Sequence, residues 1–266
     1  VSTINKSIST VKTMTASNCP IVVACAADDA YAMPLAVMIR SVLENVKIDR
    51  KVVFFVIDAG IKEFKKKKIL NSLNTSKSYE INWVQAPSSL PENLPFAREV
   101  LPHASRAIYY RLLLPEILPI SCKKVIYLDS DLIVLHDLYE IWEIDLKDNY
   151  VLAVQDSFIP LVSSPYGLVR YKELGISENT KYFNTGVLII NLEKWRTDSI
   201  SEKTLRYLDE NRKHIKHHDQ DALNAIIAGK WGELEPKWNQ TPMLFNYTSW
   251  RESPYRKMDY DNAIHN

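Results

Sequence analysis

Val125-Ile-Tyr-Leu-Asp-Ser-Asp-Leu-Ile-Val134 is the stretch whose reading decides the fold. An apolar run ends in two aspartates one residue apart, and a second apolar run follows. The first run has the composition of a strand buried on both faces. In an extended backbone residues i and i+2 share a side, so Asp129 and Asp131 can aim both carboxylates at one point. Two like charges that close repel, and a cation between them relieves the repulsion. Hard carboxylate oxygens suit Mn²⁺ or Mg²⁺, which complete their shells with water and phosphate oxygens. One reading of the triplet is therefore a metal-diphosphate site at a strand end. The other is turn chemistry, since Asp at a strand end also opens turns and caps helices. The rest of the chain has to decide between them.

Working outward, the flanks alternate strand and helix patterns. Ile21–Ala27 is a continuous apolar run closed by Pro20 and Asp28, and a helix is predicted over Pro34–Asn45. Lys51–Ile57 reads as a second buried strand, Ile61–Leu73 as a helix and Ile81–Val84 as a third strand, followed by a loop over Pro87–Pro95. Ser105–Leu114 is helical in pattern, with Pro115 and Pro119 expected to end it. Beyond Val125–Leu128, strands are predicted over Val151–Val154 and Val187–Ile190, and helices over Asp198–His214 and Asp219–Ala228. Phe158–Asn179 carries Pro160, Pro165, Gly167 and Gly175 without periodicity, the mark of a functional loop. This order implies a single α/β domain over residues 19–266, a mostly parallel mixed sheet flanked by helices. In such sheets ligands lie beyond the carboxyl ends of the strands. Several strands end there in acids: Asp28 and Asp29, Asp58, Asp129 and Asp131, and Asp156. Asp58 precedes Ala-Gly and reads as an ordinary turn.

Composition narrows the function. The 266 residues carry a formal net charge of +1, which gives no electrostatic case for nucleic acid. Cys19, Cys25 and Cys122 are widely spaced and odd in number, so neither a zinc pattern nor a disulfide framework is read, and a reducing cytoplasm is expected. No apolar stretch approaches the roughly 20 residues a membrane span needs. Residues 1–18, rich in Ser and Thr, are expected to form a flexible arm.

Five segments together resemble glycosyltransferase family 8, a family of retaining, nucleotide-sugar-dependent enzymes with the GT-A fold. They are Ala26-Ala-Asp-Asp-Ala-Tyr31, Tyr110-Arg-Leu112, Tyr127-Leu-Asp-Ser-Asp131, Tyr182-Phe-Asn-Thr-Gly-Val-Leu-Ile-Ile-Asn191 and His218-Asp-Gln-Asp221. They stand in the family's order, and the likeness is greatest to its bacterial lipopolysaccharide galactosyltransferase and glucosyltransferase branch. The resemblance implies a UDP-sugar donor, UDP-galactose or UDP-glucose, with Mn²⁺ or Mg²⁺ on Asp129 and Asp131. Ala26, Asp28 and Tyr31 would hold uridine: a carboxylate accepts the imide N–H and an aromatic face stacks on the base. Ala30 departs from the related galactosyltransferases, which carry Asn there. Arg111, Ser130, Asn184 and Thr185 would meet the diphosphate or the donor sugar. Asp156 and Asp219 would bond sugar hydroxyls, and Gln220 would lie near the anomeric carbon. Each has a plain alternative: a cap for Asp28 or Asp219, packing for Tyr31, an ion pair for Arg111, a turn for Asn184-Thr-Gly186.

The family's late His-x-x-Gly-x-x-Lys-Pro-Trp-like stretch, which supplies a third metal ligand, has no match before Asn266, and His265 is not assigned its role. Either the sequence stops short of that segment or the metal is held weakly; the former is expected. The acceptor implied is a glycan or lipid-linked glycan of lipopolysaccharide type. The expected location is cytoplasmic, with peripheral contact at the inner face of a membrane through a C-terminal tail. Two other readings stay open: a non-catalytic nucleotide-sugar-binding module, and a haloacid-dehalogenase-type phosphatase, whose Asp-x-Asp normally opens its domain. The lysines at 65–68, His136, the adjacent His217 and His218, Trp142, Trp195, Trp231, Trp238 and Cys25 read as structural or surface residues.

Overall fold

The computed structural model describes residues 19–47, 50–95 and 105–265, and the arm expected over 1–18 lies outside them. The first half is β1 (Ile21–Ala27), α1 (Ala32–Asn45), β2 (Val52–Asp58), α2 (Glu63–Ser72) and β3 (Tyr79–Gln85), then a 3₁₀ segment Arg106–Leu113 running into α3 (Leu114–Ile117). The second half is β4 (Lys124–Leu128), α4 (Tyr139–Trp142), β5 (Val151–Gln155), β6 (Phe183–Asn191), α5 (Leu192–Thr197), α6 (Ile200–Glu210), α7 (His218–Ile226), β7 (Gly232–Glu233) and α8 (Lys257–His265). Among the described residues, seven strands form one sheet in the order β3-β2-β1-β4-β6-β5-β7. β1 pairs in parallel with β2 and β4, β2 with β3, and β5 with β7, while β6 runs antiparallel to both β4 and β5.

The continuous apolar strands follow from burial on both faces. Val23, Cys25, Ile126 and Leu128 enter one core with Leu35, Met38 and Ile39 of α1. Their neighbours Ala24, Ala26, Val125 and Tyr127 enter the other core with Trp195, Ala222 and Leu223 of α5 and α7. With no solvated face, the strands show no alternation in sequence. β3 is an edge strand of mixed burial and extends past the predicted 81–84 on both sides.

Two helix expectations are corrected. Pro115 does not end its helix: it sits in the first turn of α3, where its missing N–H would have had no partner. The helix predicted over 198–214 is in fact α6 with a 3₁₀ turn at Arg212–His214, because Ser199 takes φ 51° and separates α6 from α5. Residues 158–180 are irregular, as read, with a small core of Ile159, Val162, Leu168 and Tyr182. Gly167 is required there, since a Cβ would run into the carbonyl of Val162.

Candidate active site

The carboxyl ends of β1, β4 and β5, the start of β6 and the N-terminus of α7 converge on a cavity of about 410 Å³. Ala26, Asp28 and Tyr31 line it from β1 and the turn after it, and Asp129, Ser130 and Asp131 from the turn after β4. Arg111, Asp156, Asn184, Thr185, Asp219 and Gln220 complete the wall. Every residue the sequence nominated is thus brought to one place. Asp29 is not: it pairs with Lys65 at 3.0 Å and accepts from Lys62 N at 3.1 Å, a purely structural arrangement.

Asp28 does the capping work considered for it. Its Oδ1 accepts from Ala30 N at 2.9 Å and Tyr31 N at 3.1 Å, which fixes the turn into α1 and sets the Tyr31 ring at the cavity wall. Burial pushes the Tyr31 phenol up, and the carboxylates of Asp131, Asp28 and Asp129 push it further.

Asp129 and Asp131 lie in a turn just past β4 rather than in extended strand. The β4–β6 ladder continues one step further through Asp129 N, which donates to Gly186 O at 2.9 Å. The Asp129 carboxyl is held above its usual range by desolvation, with Asp131 adding to the shift and Arg111 opposing it. Asp131 is exposed at the rim. Among the described residues no group of three or more His, Cys, Asp or Glu is arranged to hold a metal. The donor set fits a hard divalent ion carried on two carboxylates, with water and phosphate oxygens filling its shell, and not a closed protein cage.

Arg111 is buried beneath these acids. Its Nη2 donates to Asp129 Oδ1 at 2.8 Å, its Nη1 to Thr185 O, and its Nε to Ile108 O at 3.0 Å. The guanidinium lies 4.5 Å over the Tyr127 ring. Nε is also 2.9 Å from Asp219 Oδ2, but its hydrogen goes to Ile108 O. Asp219 Oδ2 is thus balanced by charge while lacking a hydrogen-bond donor. Burial pushes the Asp219 carboxyl up to about 6, Asp129 adds to the shift and Arg111 opposes it. Arg111 therefore ties two acids together from within the wall.

At α7 the alternatives separate. Asp221 does the capping, accepting from Lys216 N at 2.7 Å and His217 N at 2.9 Å and from Tyr182 OH at 2.6 Å. Asp219 faces Arg111 and is also hydrogen-bonded by the Thr185 side chain. His218 enters the helix at φ 50°, an unusual backbone for a residue with a side chain, and its ring packs edge-on to Tyr109.

A hydrogen-bonded chain crosses the floor. Gln220 Oε1 accepts from Thr185 N at 3.0 Å, and Gln220 Nε2 donates to Asp156 Oδ2 at 3.1 Å. Asn184 Nδ2 donates to the same oxygen at 2.9 Å, while Asp156 Oδ1 accepts from Phe158 N and Ile159 N, each at 2.8 Å. Asn184 Oδ1 accepts from Gly186 N and from Asn239 Nδ2, each at 2.8 Å. Sequence reasoning missed Asn239, which sits in an unremarkable Lys-Trp-Asn-Gln run. It also missed Phe158, whose half-exposed ring lines the mouth and stacks on Tyr166 at 5.0 Å.

The family model for glycosyl transferase family 8 matches residues 22–265. General stress protein A of Bacillus subtilis is 35% identical over 221 residues, 82% of this chain and 72% of that protein. The lipopolysaccharide 1,2-glucosyltransferase of Escherichia coli is 28% identical over 214 residues, 80% of this chain and 60% of that enzyme. In structure, the galactosyltransferase LgtC, solved with donor and acceptor sugar analogs, superposes with a TM-score of 0.74 at 28% identity, covering 91% of this chain and 82% of that one. The share of each relative's own length that the chain spans runs as low as 29%. Among the described residues no helix is long and apolar enough to cross a membrane.

Proposed function

The chain belongs to glycosyltransferase family 8, and from that premise we propose that it moves a hexose, galactose or glucose, from a UDP-sugar to a glycan of lipopolysaccharide type with retention at the anomeric carbon. The observation that carries this reading is the gathering of all the nominated residues, drawn from five separated segments and from Asp156 at the end of β5, around one cavity beyond the strand ends.

In this reading uridine lies along β1, with the free oxygen of Asp28 accepting its imide N–H and the Tyr31 ring stacking on the base. Asp129 and Asp131 would hold Mn²⁺ or Mg²⁺, which supplies Lewis-acid neutralisation of the departing diphosphate. Arg111 opposes the upward push that burial and Asp131 exert on the Asp129 carboxyl. Asn184 has a second Nδ2–H to offer a sugar hydroxyl. Asp219, ionised above about pH 6, accepts a hydrogen bond from a sugar hydroxyl.

Gln220 argues for the stereochemical course. Its amide is oriented by the Thr185 N–H on one side and Asp156 on the other. An amide oxygen already accepting a hydrogen bond is a poor nucleophile, yet its dipole can stabilise positive charge at an oxocarbenium-like centre. Retention is then best served by front-face attack, with the acceptor hydroxyl giving its proton to the leaving phosphate oxygen.

The test is release of UDP from UDP-galactose and UDP-glucose in the presence of Mn²⁺, first without acceptor and then with lipopolysaccharide-type oligosaccharides. Asp129→Ala and Asp131→Ala are each expected to lower Mn²⁺-dependent release at least 100-fold. Full activity in both variants would falsify the assignment. Binding of UDP with no turnover of either donor would favour a binding module. Hydrolysis of a generic phosphate ester that is lost in Asp129→Ala would favour a phosphatase.

A further inference from the structure

Asn239 lies outside the donor cavity, yet its amide terminates the hydrogen-bonded chain on the cavity floor. It follows the 3₁₀ turn Pro236–Trp238, is 8% exposed, and has its backbone fixed by Asn239 N donating to Pro236 O at 3.1 Å. It lines a separate cavity of about 310 Å³ on the far side of Asp131. We propose that Asn239 is a positioning residue that sets the sugar-binding end of the site by fixing the carboxamide of Asn184. The inference rests on the glycosyltransferase reading above and deepens it.

A carboxamide that can turn over presents either oxygen or nitrogen to a ligand. Asn184 is denied that choice, because its Oδ1 already receives two donors, Gly186 N and Asn239 Nδ2, each at 2.8 Å. Both acceptor positions of the oxygen are filled. Nδ2 must then face Asp156 Oδ2, which it meets at 2.9 Å. Asp156 Oδ2 also takes Gln220 Nε2 at 3.1 Å, and Gln220 Oε1 takes Thr185 N. One polarity therefore runs from Asn239 through Asn184 and Asp156 to Gln220. The Gly186 N–H alone would leave Asn184 with one restraint in place of two. None of these contacts touches Asp28 or Tyr31, which would take the base, although Gly186 joins the chain to Asp129 by accepting its N–H at 2.9 Å.

Asn239→Asp is the sharp variant, because it keeps the shape and replaces the donor by an acceptor. The new carboxylate opposes Asn184 Oδ1, and relief comes only if the Asn184 amide turns over and sets its oxygen against Asp156. Asn239→Ala simply removes the donor. Calorimetry with UDP, UDP-galactose and UDP-glucose in Mn²⁺ gives the affinity gained from the sugar over UDP alone, and the rate of UDP release gives turnover. In Asn239→Asp the affinity for UDP is expected to stay within about twofold of wild type. The gain from the sugar is expected to shrink at least fivefold and release to slow at least tenfold. In an Asn184→Ala background, adding Asn239→Ala is expected to change the rate less than twofold, since coupled residues do not add.

A folded Asn239→Asp protein with wild-type sugar gain and rate overturns the proposal. So do losses that add fully in the Asn184→Ala, Asn239→Ala pair, a measurement that decides the matter even if Asn239→Asp fails to fold. A wild-type chain that releases no UDP and gains nothing from either sugar overturns the parent reading and this one with it. A wild type that discriminates alongside indifferent Asn239 variants overturns this one alone.

Discussion

Gly186 stands where three polar groups close in, and the absence of a side chain is what lets them. A Cβ there would sit 3.1 Å from Asn184 Oδ1, 3.2 Å from Asp129 Oδ2 and 3.4 Å from Asn239 Nδ2. These neighbours are ends of side chains, so Gly186→Ala is expected to fold, with the displacement taken by the site. Shifts of a few tenths of an ångström at reacting groups lower rates steeply, so turnover should fall roughly 10- to 100-fold while Tm moves by only a few degrees. Wild-type kinetics in that variant would show that Asn184 and Asp129 need no fixed geometry. Asp219 gives a second test at this scale. Its carboxyl titrates near 6 in the fold against an ordinary 3.8, chiefly through burial. The folded state therefore binds a proton more readily than the unfolded chain, and ionising Asp219 weakens the fold. That penalty is absent below about pH 4 and complete above about pH 6. Relative to Asp219→Asn, the wild type should thus lose stability as pH rises from 4 to 7, by on the order of 1–3 kcal/mol, measured by urea denaturation. A flat difference across that range would mean that Arg111 fully compensates the buried charge.

At the scale of elements, α5 supports the strand that carries the acids. Arg196 reaches from α5 to Pro115 O at 3.1 Å, Leu118 O at 3.1 Å, Pro119 O at 3.1 Å and Cys122 O at 2.7 Å, with Ile120 O at 3.4 Å. One planar fork thus gathers carbonyls from the end of α3 and from the turn that leads into β4, one of which, Pro119 O, also accepts from Cys122 N at 2.8 Å. Arg196→Lys cannot reproduce the fork and should cost about 2 kcal/mol, or roughly 4–8 °C in Tm; a change below about 0.5 kcal/mol would mean that water replaces the guanidinium. Nothing in the sequence pointed to this contact, since its partners are backbone carbonyls some 74 to 81 positions away. β1, β4 and β5 were legible because both their faces are buried and their residues are accordingly apolar throughout. The length of β3 was not, because an edge strand mixes polar and apolar residues. Asp129 and Asp131 stood out by their spacing and Asp156 by its place at a strand end, while Asp219 was singled out only through the resemblance to the family. The roles of Arg111 as a tie between Asp129 and Asp219, and of Asn239 behind Asn184, depend on tertiary contacts that leave no local pattern.

Across the whole molecule, the two large cores lie on opposite faces of one sheet, and the segment after β7 joins the α1-side core through Leu234, Trp238 and Tyr255. Its own apolar cluster is small, with Leu244, Tyr260 and Ala263 buried together. Polar contacts also hold it to the end of β5: Tyr255 OH donates to Gln155 O at 2.7 Å, Tyr247 OH to Ser157 O, and the Ser157 and Thr241 hydroxyls meet at 2.8 Å. α8 packs on the turn that precedes Asn239, and Gln240 Nε2 donates to Ala263 O. A unit with few buried apolar groups opens at less than the global unfolding free energy. Native-state hydrogen exchange should therefore show α8 amides exchanging at least about 100-fold faster than those of β1 and β4, equivalent to roughly 2.7 kcal/mol. Equal protection would mean that the segment and the sheet unfold as one. Because this segment also carries Asn239, opening that reached residue 239 would withdraw a donor from Asn184. The stability of a peripheral helix would then set how often the Asn184 end of the cavity is correctly assembled.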